Sequence, residues 1–294
     1  MRFTEIGQQL RAYRLESGLR AEEIAARLGV SRAALYRYEK GEVIKLDTIK
    51  RLAELLKISP LSLLGIGVEY YNRAVGYFER VRQIEESADQ ILQLSGGLCY
   101  LTTSDAYDSA LADAFDEAAE QAGPDRVAMR SMAEQVLGIL QSRKRMYAMR
   151  RPGIIAMISL PTIQRLLEGG IVSGIQVSDR VRRICRDVAI SEVENIANLM
   201  ETEPMGLQFG VLTAWEPSSA FTILRARDRV SLAINPFRTG THPSAQTGVA
   251  MITGADEAIA AHQRVAEASW REAVKGPAAA VKLRQLLGAV SPVA

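Results

Sequence analysis

Histidine, cysteine and tryptophan are nearly missing from this chain, with two of each in 294 residues. That scarcity removes most catalytic and metal chemistry. His242, in RTGTHPSAQ, and His262, in AIAAHQRVAE, have no Ser, Cys or Lys partner in a recognisable nucleophile arrangement, so no catalytic residue and no enzymatic activity are expected. Cys99 and Cys185 cannot build a disulfide framework, and neither stands in a CxxC or Cys/His spacing suited to zinc, so no metal site is expected. They read as buried free thiols or as a redox-sensing pair. No P-loop or GxGxxG is present, and the glycines of EGGIVSGI follow a helical pattern rather than a strand. They read as a turn, and no cofactor is expected. No apolar run approaches the roughly 18 residues of a membrane span, and MRFTEIGQQLR lacks a signal peptide's apolar region. These absences point to a cytoplasmic protein with no membrane contact.

Net charge is small too, at +2, but it is unevenly placed. Residues 1–65 hold 12 Lys/Arg against 8 Asp/Glu and the remainder 24 against 26, so the basic excess lies at the amino-terminal end. A hydrophobic content of 48% with 24% charged residues suits a globular protein with a sizeable core. At 294 residues the chain exceeds the about 100 to 200 of a typical domain and most naturally holds two.

The basic end contains IGQQLRAYRLESGLRAEEIAARLGVSRAALYRYEKG over residues 6 to 41. This segment meets the steric demands of a helix-turn-helix, in which two short helices cross steeply through a tight turn. Ala25 supplies the small residue at the crossing, and Gly29 tolerates positive φ in the turn. Leu28, Val30 and Leu35 fall on the inward side, Ser31 caps the second helix, and Arg32 and Arg37 are left facing outward. Asp47 marks the start of a fourth helix, and Ser59 with Pro60 that of a fifth.

The same residues carry a family resemblance. Ile6, Leu10, Arg11, Arg14, Gly18, Leu19, EEIA at 22–25, LGVS at 28–31 and YEKG at 38–41 resemble the Xre/Cro-type repressors. The resemblance covers residues 4–65, including DTIKRLAELLK and SPLSLLG, and implies an all-α five-helix domain over 1–66 that binds double-stranded DNA. It sets Arg32, Ala33 and Arg37 where the family contacts bases, and Arg14 and Glu39 where the family forms a partly buried ion pair. Arg20, Ser31, Tyr36, Lys40 and Lys45 flank the reading face and are expected to contact the DNA backbone. Ala21 stands where the family often places a phosphate-contacting Gln, so that contact is not carried over.

Residues 67–95 lack proline and read as one long linking helix. Tyr70, Ala74, Tyr77, Val81, Ile84, Ala88 and Ile91 step by four and three alternately, the spacing of a coiled-coil seam between two copies. Tyr71, Val75 and Phe78 broaden the face, which equally fits a helix packed on its own second domain.

Residues 96–294 alternate in type and imply an α/β domain with a mixed sheet. LCYLTT, RVAMR, GIIAMIS, GLQFGVLT, AFTILRA, RVSLAIN and GVAMIT read as strands. Over about the last 90 residues this part is faintly similar to the effector domains of other bacterial regulators, some with a phospholipase-D-like fold; their active His-x-Lys motif is not in this sequence. SRKRMYAMRR is either a solvated helix face or a basic patch for DNA or an anionic effector. The polar loop NPFRTGTHPSAQTG, with Trp215, Phe221, Phe237, Arg238 and His242 in or near it, is the candidate lining of an effector pocket; core aromatics and an ordinary loop are the alternative.

The reading that follows is a bacterial transcriptional regulator, a homodimer on a roughly palindromic operator, controlled by a small-molecule effector. An antitoxin-like or scaffold protein whose second domain grips another protein, and a DNA-tethered enzyme, are the alternatives.

Overall fold

The computed structural model describes residues 3–245 and 247–290. It begins with five helices: α1 (Phe3–Ser17), α2 (Ala21–Leu28), α3 (Arg32–Glu39), α4 (Leu46–Leu56) and α5 (Pro60–Leu63). Local chemistry sets their ends. Helix α2 stops because Gly29 turns left-handed at φ 69°, so that Val30 N–H donates back to Ala25 O at 3.0 Å. Helix α3 starts where the Ser31 hydroxyl accepts from Ala34 N–H at 3.1 Å, and Ser59 accepts from Leu61 N–H ahead of Pro60. Leu10, Tyr13, Ile24, Leu35, Leu52 and Leu63 fill the space between these helices.

The remainder runs β1 (Val68–Tyr71), α6 (Ala74–Glu85), β2 (Gln90–Gly96), α7 (Asp105–Glu120), α8 (Arg126–Arg150), β3 (Gly153–Ser159), α9 (Leu160–Gly169), α10 (Asp179–Thr202), β4 (Leu207–Leu212), β5 (Phe221–Arg225), β6 (Val230–Ile234), β7 (Ala250–Thr253), α11 (Asp256–Glu272), β8 (Val274–Lys275) and α12 (Gly276–Val290). The strands form one mixed sheet in the order β1-β7-β6-β5-β2-β3-β4-β8. Strands β2, β3 and β4 are parallel neighbours and the other pairings are antiparallel. Alternate strand residues separate two cores. Ile91, Ile154, Ala156, Phe209, Leu224 and Ile252 join the larger one, with α6 to α10, α12 and the first five helices. Leu94, Met157, Phe221, Ile223 and Leu232 face the other way, under α11.

The long helix expected over 67–95 is not there. Helical spacing governs only its middle, as α6; Val68–Tyr71 and Gln90–Gly96 are strands. Their partners are remote: Val68 lies opposite Thr253, and Leu92 opposite both Ile155 and Ile223. Ladder pairing and burial on a sheet override the weak local preference for helix. Tyr77, Val81, Ile84, Ala88 and Ile91 are buried within one chain, so they form no free seam for a second copy. Two other expected strands differ. Tyr100–Thr102 in LCYLTT is a turn of 3-10 helix, and RVAMR opens α8, where Val127 is 79% exposed and its apolar alternation marks no sheet face.

Helices α1 and α6 run in opposite senses against each other, Glu16 meeting Arg73 and Gln8 meeting Gln83. The contact is polar and buried. Glu69 accepts from Gln9 Nε2 at 2.9 Å, from the Tyr71 hydroxyl at 2.7 Å, and from Arg80 Nε and Nη2 at 2.8 and 3.0 Å. Glu79 accepts from Arg11 Nε at 2.8 Å and from Arg82, which with Arg11 holds its carboxyl below the usual range although burial opposes this. Glu16 caps the start of α6 by accepting from Asn72 N–H at 2.6 Å and Arg73 N–H at 3.1 Å. Tyr13 stacks on Tyr71 at 5.3 Å between ring centroids. The first five helices are thereby seated on the sheet domain. Replacing Glu69 by Ala leaves Arg80 buried without a counter-charge, at a cost of about 3 to 5 kcal/mol. Urea denaturation of the whole chain should show that loss, and an unshifted midpoint would mean the network contributes nothing to the seating.

Candidate nucleic-acid interface

Helix α3 presents Arg32, Ala33 and Arg37 to solvent while Ala34 and Leu35 face the core and Glu39 is buried. Its inner side sits close to α1, where a Cβ on Gly7 would come 2.4 Å from Tyr38 O. That requirement for glycine was not read from the sequence. The second tie between the two helices is ionic. Arg14 Nε and Nη2 donate to the two carboxylate oxygens of Glu39 at 2.5 and 3.0 Å, with 12% and 4% of the side chains exposed. Burial opposes the Arg14 charge, but Glu39 more than offsets it and leaves the guanidinium pKa raised.

The two outward arginines differ in what holds them. Arg32 Nη1 reaches Glu22 Oε1 at 2.7 Å, its Nη2 donates to the Tyr36 hydroxyl at 3.2 Å, and its guanidinium lies over the Tyr36 ring. Both terminal nitrogens are therefore engaged. Among the described residues Arg37 donates only through Nε, to Glu42 Oε2 at 2.7 Å, which leaves its terminal nitrogens open there. Glu22 and Glu42 were not singled out in the sequence, because their roles depend on side-chain placement across a turn.

Arg20 at the start of α2, Lys40 at the end of α3 and Lys45 before α4 are exposed around the same face, with Tyr36 half-buried. Ser31 is exposed as well, its Oγ engaged as the cap of α3. Exposed positive charge thus stands on α3 and at the ends of the neighbouring helices, with Glu22 and Glu42 among it, and exposed positive charge is what neutralises duplex phosphates.

The five residues expected to line an effector pocket do not converge. Phe237 is buried against Tyr77 and Phe78, and with Arg238 and His242 it borders a cleft also lined by Ala74 and Val136. That cleft has about 10 Å3 open to water, room for roughly one molecule. Phe221 lies on the opposite sheet face against His262, and the Trp215 indole donates to Glu272 at 3.3 Å. Sequence proximity misled here because the faces of a strand alternate.

His242 is 4% exposed. Its Nδ1 accepts from Ser244 N–H at 3.2 Å, which assigns the ring proton to Nε2, and Nε2 has no partner among the described residues. Both cysteines are buried and unpaired, and burial pushes each thiol up to about 11, so neither is a reactive thiol at neutral pH. In the basic segment, Arg143 turns inward to Glu85 with two bonds of 2.8 Å and Lys144 turns inward to Asp108 at 2.9 Å. No described helix is long and apolar enough to cross a membrane.

Residues 5–63 match the family model of a helix-turn-helix domain, and this segment is a helix-turn-helix DNA-binding domain. No curated protein matches the chain. A solved structure of TrmBL2, described as an archaeal chromatin protein with a novel mode of DNA binding, aligns over 90% of this chain and 92% of that one, at 11% identity and a TM-score of 0.32, too loose an overlay to establish a shared fold.

Burial lowers the His242 pKa from its ordinary 6.5. The folded state therefore binds this proton less readily than the unfolded state does, so the contribution to stability is whole above pH 6.5 and is lost as pH falls through the lowered value. Within that window the wild-type chain should lose up to about 1.4 kcal/mol per pH unit more than His242→Asn. Denaturation midpoints across the acid range measure this, and parallel curves would show that His242 stays hydrated.

Proposed function

We propose that this protein is a bacterial, cytoplasmic transcriptional regulator of Xre/Cro type. It binds double-stranded DNA as a homodimer on a roughly palindromic operator and answers to a small effector in its α/β domain. The observation that carries the DNA-reading part is Arg37, exposed on α3 with its terminal nitrogens open and its Nε held by Glu42. Those terminal nitrogens match the O6 and N7 acceptors of guanine. Arg32 and Ala33 accompany it along the same groove, and Arg20, Ser31, Tyr36, Lys40 and Lys45 hold the register through phosphates. One helix of eight residues makes few base contacts, which is why a dimer reading two half-sites about one DNA turn apart is the natural form.

The effector reading rests on the cleft beside His242, whose unpartnered Nε2–H is a donor awaiting an acceptor. The space there is one water wide, so binding requires the loop from Pro236 to move outward. A ligand acts by favouring one arrangement of the dimer over another. We assign no catalytic role to the chain.

Arg37→Ala should remove about 1 to 3 kcal/mol of discrimination at one guanine position, read by binding-site selection on random duplexes. An unaltered site preference sinks the assignment. Lys40→Ala and Lys45→Ala should each lower the slope of log affinity against log salt by about 0.9, alike on all sequences. A slope that stays at the wild-type value would take these lysines off the phosphates.

A further inference from the structure

Strand pairing brings together two arginine-rich segments that lie far apart in sequence. Gln90, at the start of β2, lies opposite Gly153 on one side and Arg225 on the other, and Asp89 bridges them, its N–H donating to Arg225 O at 2.8 Å and its carbonyl accepting from Gly153 N–H at 2.9 Å. Arg150 and Arg151 immediately precede β3, while Arg227 and Arg229 form the turn between β5 and β6. Two neighbouring strand spacings put these groups about 10 Å apart at one end of the sheet.

Three of these arginines are free to act. Arg150, Arg151 and Arg227 are exposed and make no side-chain ion pair or hydrogen bond among the described residues. Arg229 serves as the joint to the helix-turn-helix. Its Nη2 donates to Ser87 Oγ at 3.1 Å and its Nη1 lies 3.7 Å from Glu5 Oε1, on the first turn of α1. The next residue back, Thr4, packs on Gly41 so closely that a Cβ there would lie 2.8 Å from Thr4 Cα. Gly41 immediately follows Lys40, the residue at the end of the reading helix. The basic end of the sheet therefore adjoins the loop that leaves α3. Asp89 and Asp228 are exposed in the same region, and Glu203, Asp256 and Glu257 stand at the neighbouring strand ends, yet none of them is ion-paired to Arg150, Arg151 or Arg227 among the described residues.

We propose that this sheet end is a second contact surface for duplex DNA, in which Arg150, Arg151 and Arg227 neutralise backbone phosphates beyond the half-site read by α3. The proposal rests on the reading of the chain as a duplex-DNA binder. Partner and class follow from charge and position, since exposed arginines without a partner, next to the joint between the sheet and α1, fit a repeating line of phosphates and read no bases. The chain as a whole outside residues 1–65 carries more acid than base, so a concentration of unpaired arginines at the one sheet end that abuts α1 is not a by-product of composition.

The test is equilibrium binding of the full-length protein to a 40-base-pair duplex across a range of salt concentrations. The R150Q/R151Q/R227Q variant should weaken binding to operator and unrelated duplexes alike and lower the salt slope by about 2.7, at about 0.9 per lost phosphate contact, with the guanine preference retained. R227Q alone should lower it by about 0.9, and thermal midpoints equal to wild type establish that both variants are folded. Wild-type binding with an unaltered slope in the triple variant overturns this surface while leaving the helix-turn-helix reading standing. A wild-type protein that binds no duplex even at low salt overturns both.

Discussion

A carboxylate shut away from water joins the two halves of this molecule. Glu69, on the edge strand β1, receives four hydrogen bonds, two from Arg80 and one each from Gln9 and Tyr71. Neither charge of the pair is tolerable in that position without the other, and Gln9 on α1 donates to the same carboxylate, so β1, α6 and α1 meet at one buried group. The connection extends to the reading helix. Helix α1 also carries Arg14, whose guanidinium grips Glu39 near the end of α3. The Gln9 hydrogen bond to Glu69 and the Arg14 ion pair with Glu39 thus connect the sheet to α3 through α1.

The charged face of α3 shows a different balance. Arg32 and Arg37 are paired to Glu22 and Glu42 in the absence of DNA, and these pairs are exposed, where each is worth about 0 to 1 kcal/mol. A bidentate pairing with guanine discriminates by about 1 to 3 kcal/mol. The local pairs are therefore weak enough to be given up. The Glu42 pair engages Nε of Arg37 and leaves its terminal nitrogens without a partner among the described residues, so the proposed guanine pairing does not require breaking it.

Legibility in the sequence followed how local each determinant is. Gly29, Ser31, Ser59 and Pro60 specify turns and helix starts within a few residues, so the helix-turn-helix segment could be read directly. The Arg14 and Glu39 pair spans 25 residues and was reached only through family resemblance, never through spacing. Residues 67–95 were misread because four-and-three spacing in α6 continued by coincidence into Tyr70 and Ile91, which are strand residues with partners in β7 and in β3 and β5. Phe221 and Phe237 stand on opposite sides of the sheet. Nothing in the order of residues distinguishes these cases, since the distinction lies in pairings of long range.

Strand β1 pairs only with β7, Val68 opposite Thr253, so its place in the sheet depends on chain that follows it by more than a hundred residues. During synthesis the five leading helices emerge long before β7 exists. They gain their fixed seat last, when β1 docks beside β7 and Glu69 takes up its four hydrogen bonds. Closing so long a loop is entropically costly and slow next to local helix formation. The nascent chain therefore passes through an interval in which β1 has no partner strand. A chain cut short before Ala250 would lack the strand beside which β1 docks, and with it the frame that holds the first five helices.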